Sequence, residues 1–524
     1  MFLILVMRVR SVPCTPSRCH GTTARGALRS YDVVASVMGA RTCRWPKIRN
    51  LVPLHQCSSR VLSKPTVEPL TPISSHFCSS RTRGGCCRQG AGADVVRRGH
   101  IVVSDETVSP PESYGDIGDG ETGRERPALN RIRPRRCEQS EDDMQIDLSE
   151  EQEFFRASTR RFIEVETPLG VVRDLYDTRD GFDLGWWRKA AELGWTSLFV
   201  PEQLGGGVLS GRPTCDAVIV AEEMGRLVSP GPFLPVNVVA AAIARAGSEQ
   251  QRAAVLPGLL SGVTVATWAI CEPQGRWELQ DIETTATRQG RNLVLDGTKA
   301  YVEALGCANH VLVTARTDDG FTQVLVPVET PGVTTTLGRS IDMTRRFGSI
   351  RFDEVVLPQS AVVGEFAGAS EQVGCQMELA IALQCAELVG VADRTLEFTL
   401  QYGRERSAFG RSIMSYQALK HRIADMAVLL EGSKAITDAL AAAIDERAAT
   451  ASGLASVAKA YVGTHALDIV DDCVQITGGI GVTWEHDIHL YNRRAAVNRA
   501  VFGTPEDHKQ KLLVEVAALD EVPA

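Results

Sequence analysis

Six short runs patterned as β-strands lie between two stretches patterned as helix, and this order constrains the fold more than any other feature of the chain. The runs are Thr264–Ile270, Thr284–Arg288, Leu293–Leu295, Val311–Ala315, Val324–Val328 and Ser349–Phe352. Gly, Pro, Asp and Asn residues separate them, as turns require. With no helical period between them, the strands predict a small antiparallel barrel or sandwich. Upstream, Ser149 precedes Glu150–Glu153 and then Phe154, Phe155 and Phe162, a capped helix start with early acids. Trp186–Leu193, Cys215–Met224, Ala240–Ala246 and Gln250–Leu260 read as further helices, with a Pro-rich turn at Ser229–Pro235. Downstream, Val373–Tyr402 is apolar nearly all round, which suits a central buried helix. Leu419, Ile423, Met426 and Leu430, spaced 4, 3, 4, make one apolar stripe. The expected class is α+β, in the order helices, β domain, helical bundle.

Composition changes sharply near Met144. Residues 1–143 carry a net charge of +8 and residues 144–524 a net of −16. The first part has no sustained period of 3.6 or 2, and holds Arg131–Arg136 and a Gly/Asp/Glu stretch near Ser113–Glu125. It reads as disordered or non-native sequence. One explanation is that translation begins at Met144; the other is a genuine tail. The expected divisions are 1–143 leader, 144–263 N-terminal helical domain, 264–363 middle β domain and 364–524 C-terminal helical domain. An acidic body argues against nucleic-acid binding, which needs a basic surface. No stretch reads as a membrane span. Eight of the 14 cysteines fall in residues 1–143; the other six form no C-x-x-C pair, so no metal site is expected. Most of those six sit among apolar residues and read as buried free thiols of a reducing, cytoplasmic compartment.

Five strings carry chemistry. They are Trp268–Pro273 (WAICEP), Tyr402–Gly410 (YGRERSAFG) with Tyr416-Gln417, Gln475–Thr483 (QITGGIGVT), His489–Arg494 (HLYNRR) and Phe502–Pro505 (FGTP). Singly, each has an ordinary explanation: an Arg-Glu-Arg run is usually a solvated helix end, and Gly-Gly-x-Gly a helix C-cap. In this order and spacing they resemble the acyl-CoA dehydrogenase family, from Met144 to the C-terminus. The resemblance is to its heteromeric subunits of the actinobacterial, steroid-degrading kind.

That resemblance implies an N-terminal helical domain, a middle antiparallel β-barrel and a C-terminal four-helix bundle. It implies FAD, bound by Arg406, Phe409, Gln417, Gln475, Gly478 and Gly479 on the neighbouring subunit's cofactor, and by Gly503 and Thr504. The chemistry agrees. Arg406 offers a forked, permanently charged donor for phosphate. Gly478, Gly479 and Gly481 let backbone approach a cofactor closely, and Gln417 and Gln475 can bond it without charge. An acyl-CoA substrate, an oligomer and an electron-transfer flavoprotein-like acceptor are implied with it, in lipid or sterol catabolism.

The chain departs from the family where the reaction occurs. The family's base is a Glu at one of two positions. One directly precedes the C-terminal Gly-Thr and is Phe502 here; the other, ten residues before Gly390, is Ala380. Glu378 and Glu387 share that helix, but Glu378 is about 200° of rotation from Ala380 and Glu387 is about 10 Å along it. Both read as ordinary solvated or paired acids. Gln274–Glu278 replaces the family's Gly-Ser-Asp segment, and Cys271 a usual Thr. Tyr301-Val302-Glu303 stands where the resemblance places a Thr against the flavin, so Glu303 would oppose the charge of the reduced ring.

The adenine side is thus kept and the ring side altered. The expectation is an acyl-CoA dehydrogenase subunit that shares its site with a homologous chain in an α2β2 assembly. The alternatives are a self-associating, self-sufficient dehydrogenase with a displaced base (Glu378, Glu387 or Glu506), another flavin oxidase or hydroxylase, and a non-enzymatic acyl-CoA-binding protein.

Overall fold

The computed structural model describes residues Leu148–Asp520. The leader reading of residues 1–143 lies outside them.

Six helices come first: α1 (Glu150–Glu166), α2 (Leu169–Asp174), α3 (Leu184–Glu192), α4 (Pro213–Arg226), α5 (Phe233–Ala246) and α6 (Glu249–Leu260). The expected Ser149 cap is present: its side chain accepts from the Gln152 amide, and Gln152 bonds back to the Ser149 amide. Helix α5 begins seven residues before the expected Ala240, at Phe233. Pro235 does not prevent this, because amides of a first helical turn have no intrahelical partner to lose. Phe162, Trp186, Trp195 and Phe233 pack edge-on or stacked, with centroids 5.6–6.0 Å apart.

Strands β1 (Ala266–Ala269), β2 (Thr285–Gln289), β3 (Asn292–Glu303), β4 (His310–Arg316), β5 (Phe321–Pro327), β6 (Val333–Leu337) and β7 (Phe347–Pro358) form one sheet, ordered β1-β4-β2-β3-β7-β6 with β5 on β4. Most pairings are antiparallel, as expected. The contacts of β4 with β1 and β2 are parallel. They are possible because the loop 270–284 carries the chain back across the sheet. The sheet has its own apolar core, including Leu293, Leu295, Val311, Val313, Val324, Ile350 and Phe352.

Helix α7 (Ser370–Glu405) follows, then a short hairpin of β8 (Ser407–Ala408) and β9 (Arg411–Ser412). Helices α8 (Gln417–Asp445), α9 (Ala451–Thr477), α10 (Ile488–Ala500) and α11 (Pro505–Asp520) complete the C-terminal region. Among the described residues α7 is the one helix long and apolar enough to cross a membrane, but 83% of that apolar window is buried. It is a core helix, as its pattern predicted. Its axis meets α4 at two glycines: a Cβ on Gly390 would lie 1.9 Å from the Glu222 carbonyl oxygen, and one on Gly225 2.0 Å from that of Glu387.

Candidate functional site

The residues read as cofactor ligands fall into two groups. Helices α8 and α9 run antiparallel, and the Arg422–Asp472 ion pair (2.8 Å) joins the start of one to the end of the other. Gln417 and Gln475 therefore lie at the same end of the bundle, beside the β8–β9 hairpin that carries Arg406 and Phe409. Phe409 is 98% exposed at φ 52°. Arg406, Gln417, Gln475, Gly478 and Gly479 are exposed too. A Cβ added to Gly478 or Gly479 would meet nothing within 4 Å, so their backbone is open to an approaching molecule; Gly481, expected to share that role, is instead buried, with a Cβ there only 2.1 Å from Thr477 Oγ1 of its own helix end. Gly478 ends α9 at φ 66°, the C-cap that the Gly-Gly-x-Gly pattern suggested.

The second group surrounds the turn 501–504. Lys459, wholly buried in α9, gives its ammonium to the carbonyl of Val501 (2.7 Å), to that of Asn498 and to Gln384 Oε1. From Lys459 to Gln475 is 16 residues of α9, so the two groups stand about 24 Å apart along it. Burial lowers the Lys459 pKa to about 7. Burial also takes His508 down to about 4, so its imidazole is neutral. Nε2 then donates to the Phe502 carbonyl (3.0 Å), and Nδ1 accepts from Ser456 Oγ (3.3 Å). These anchors hold Phe502 at φ 62°, a strained conformation for an aromatic residue. Its ring packs on Trp268 (6.1 Å) and Trp277 (4.9 Å). An aromatic wall thus occupies the first expected base position, and Ala380, at the second, is fully buried.

A cavity of about 880 Å³ opens beside this wall. Its sides are the α7 face Val373, Gly374, Met377, Glu378 and Ile381, the loop 275–281, Gly503, and the starts of α9 and α11. Glu378 is indeed on the opposite face from Ala380, but its face is the one that meets the cavity. Glu387 does not: it is buried, accepting from Arg345 (2.7 Å to each oxygen), Arg494 and Asn498 Nδ2 (2.7 Å). Burial alone would raise its pKa, yet the two guanidiniums outweigh burial and hold it below the usual carboxylate range. It is a paired acid. Glu506 is exposed and paired with Arg499 (2.9 Å).

Glu303 differs from the expectation of a bare carboxylate. A register shift between Lys299 and Val302, with Tyr301 and Ala304 at φ 55°, turns it inward onto Arg345. Arg345 joins it to Glu387, Glu387 to Arg494, and Arg494 to Asp342, Thr344 Oγ1 (2.7 Å) and the Ser229 carbonyl (3.2 Å). Burial raises the Glu303 pKa, with Arg345 opposing. This network draws on the N-terminal helices, the sheet, α7 and α10, and sequence reasoning missed it. A carboxylate within the apolar run 383–389 was the available signal.

Three family profiles match in order: acyl-CoA dehydrogenase N-terminal domain at residues 149–263, middle domain at 267–355 and C-terminal domain at 376–514. This chain belongs to the acyl-CoA dehydrogenase family. Acyl-CoA dehydrogenase IpdE2 of Mycolicibacterium smegmatis is 29% identical over 371 residues, covering 70% of this chain and 100% of that protein. Among solved structures, a variant of the Tcur3481-Tcur3483 steroid ACAD matches with TM-score 0.64 and 28% identity, covering 70% of this chain and 99% of that one. The ChsE4-ChsE5 complex of Mycobacterium tuberculosis matches with TM-score 0.64 and 25% identity, covering 72% and 99%. The α–β–α order and the helical C-terminal region read from the sequence are those of the family.

Proposed function

We propose that the chain takes part in FAD-dependent α,β-dehydrogenation of an acyl-CoA thioester as one subunit of an α2β2 assembly with a homologous dehydrogenase chain. The observation that carries this reading is the separation described above. The bundle end offers an exposed guanidinium and open glycine backbone to a phosphate-bearing cofactor. About 24 Å away along α9, at the turn that Lys459 anchors, Phe502 fills the first family base position, and Ala380 on α7 fills the second. The two complexes among the matched structures, each named as a pair of proteins, favour such a partnership.

In this reading Arg406 holds the pyrophosphate of a cofactor seated mainly in the partner. Phe409, Gln417, Gln475 and the Gly478-Gly479 backbone line its adenine end, and Gly503 and Thr504 are this chain's remnant of a ring-side contact. FAD supplies the hydride acceptor for the β-hydrogen, and a partner carboxylate takes the α-proton. The 2-enoyl thioester leaves, and an electron-transfer flavoprotein-like acceptor takes the electrons, in the cytoplasm. Glu303, tied to Arg345 and drawn inward, no longer faces a flavin as a free charge.

The test is turnover of an acyl-CoA with an artificial electron acceptor, by the chain alone and with a homologous chain that has Glu before its C-terminal Gly-Thr. Only the mixture should turn over, and Glu378→Gln, Glu387→Gln or Glu506→Gln in this chain should not abolish it. Full activity of the chain alone, lost on one of those changes with flavin retained, would establish the self-sufficient alternative.

A further inference from the structure

Five lysine and arginine side chains are buried among the described residues: Arg226, Lys299, Arg345, Lys459 and Arg494. Four of them meet a carboxylate. Arg226 bonds Asp393 and Glu397, Lys299 bonds Glu272, Arg345 bonds Glu303 and Glu387, and Arg494 bonds Asp342 and Glu387. Lys459 is the exception. It stands behind the cavity wall, not on it. Its ammonium has three neutral acceptors: Gln384 Oε1 on α7, and the carbonyls of Asn498 (2.5 Å) and Val501 (2.7 Å) at the end of α10. A charge kept from water without a counter-ion is costly, and the negative end of the α10 dipole offsets only part of that cost.

The donor count fits these acceptors in one protonation state alone. An ammonium has an N–H for each of the three oxygens. A neutral amine has one fewer and turns a lone pair toward the oxygen left over. Burial, with Arg499 beside it, brings the Lys459 pKa down to about 7, so both states are populated near neutrality. The groups that face it do not titrate there. On α7, burial pushes the Cys385 thiol up to about 12. Glu387, bonded to Asn498 Nδ2, is held below the usual carboxylate range by Arg345 and Arg494 against the effect of burial. On α10, Arg499 is a permanent cation paired with Glu506. On α11, burial keeps His508 neutral down to about pH 4. The segment that Lys459 holds is strained, with Phe502 at φ 62°. Such a conformation persists only while its surroundings fix it.

We propose that Lys459 is a positioning residue that works by its proton. With the proton on, it holds the turn 501–504 in the geometry that presents Gly503 and Thr504. With the proton off, Phe502 relaxes and the turn moves with it. The turn's place at the cofactor rests on the reading above, but the motion belongs to this chain and is measured without flavin. Two consequences have opposite sign. Order in the turn falls as pH rises through about 7. Global stability rises from there to about pH 10.4, the ordinary lysine value, because the unfolded chain binds the proton more tightly.

The experiment is fluorine NMR of the full chain carrying 5-fluorotryptophan, without flavin, across neutral pH. The Trp277 ring lies 4.9 Å from that of Phe502, so its resonance, assigned through Trp277→Phe, reports the turn. In the wild type it should titrate with a midpoint near pH 7. Lys459→Met should fix it at its alkaline position. Lys459→Arg, always charged, should fix it at its acid one. The wild-type titration and the methionine variant decide the matter even where the arginine variant does not fold. Absence of a titration near neutrality, or one that survives in Lys459→Met, would overturn the inference. A titrating turn, in an assembly whose flavin content is the same on both sides of neutrality, would support it and remove Gly503 and Thr504 from the cofactor site.

Discussion

Arg494→Met removes the guanidinium at the centre of the buried charge network. Arg494 is completely buried and bonds Asp342, Glu387, Thr344 and the Ser229 carbonyl. Methionine fills most of the volume, so the loss is chiefly electrostatic. With Glu303, Asp342 and Glu387 ionised against Arg345 and Arg494, the cluster carries −1; the variant would carry −2. The carboxylate of Asp342, fully buried, would keep only hydrogen bonds from the Thr344 amide and hydroxyl and the Arg345 amide. Breaking a buried pair from one side costs about 3–5 kcal/mol. With an unfolding entropy of about 2.1 cal/mol/K per residue over roughly 370 residues, 4 kcal/mol is about 5 °C of melting temperature. The deficit has a pH signature. Burial would raise the Asp342 pKa, but Arg494 prevails and holds it low in the wild type. That contribution is present above the unfolded carboxyl's pKa and is lost as pH falls through the folded one. In the variant burial prevails, so Asp342 takes up a proton and the deficit narrows on acidification. Denaturant unfolding of both proteins at pH 7 and pH 5 measures this. A deficit below about 1 kcal/mol at pH 7, or one unchanged at pH 5, would refute the argument.

Arg406→Ala should lower the flavin-to-protein ratio of the dialysed assembly, by about 1.5–3 kcal/mol of binding, with Gln475→Ala doing less; an unchanged ratio removes Arg406 from the site. His508 protonates near pH 6.5 when unfolded but only near pH 4 when folded. Its stabilising contribution is therefore complete above about pH 6.5 and declines as pH falls toward 4. The stability–pH curve of His508→Leu should be flatter over that window, and parallel curves would contradict the assignment. Gly390→Ala drives a Cβ into the Glu222 carbonyl and should cost at least about 2 kcal/mol, read as a fall in the denaturation midpoint; a neutral outcome would mean α4 and α7 separate freely.

Much of this architecture was legible because it rests on local period. The strands at 264–352 alternate or run apolar, the Ser149 cap precedes a run of acids, and α7 is apolar on every side. What escaped had no local signature. Strand β6, Val333–Leu337, is almost entirely exposed and shows no buried alternation; its partner β7 defines it. The start of α5 was hidden by Pro235, an ordinary turn signal that the first helical turn tolerates. The residues proposed for the cofactor end stand out in the sequence as a set of motifs, and the turn at Phe502 as a departure from one. Of the ion network only Glu387, a carboxylate in a largely apolar run, gave a signal. Glu303, Asp342, Arg345, Glu387 and Arg494 span some 190 positions, and the other four resemble surface charges. Only tertiary packing decides that Glu387 is spent on two arginines while Glu378, nine residues earlier, faces a cavity unpaired.

The central claim is that this chain completes a flavin site owned largely by a different chain. Native mass and flavin content, measured on the full chain alone and after co-expression with a homologous dehydrogenase chain carrying the Glu, test it most directly. The account predicts little or no flavin on the isolated chain, and an α2β2 assembly with two FAD on co-expression. A homotetramer of this chain holding one FAD per subunit, and oxidising an acyl-CoA unaided, would contradict it.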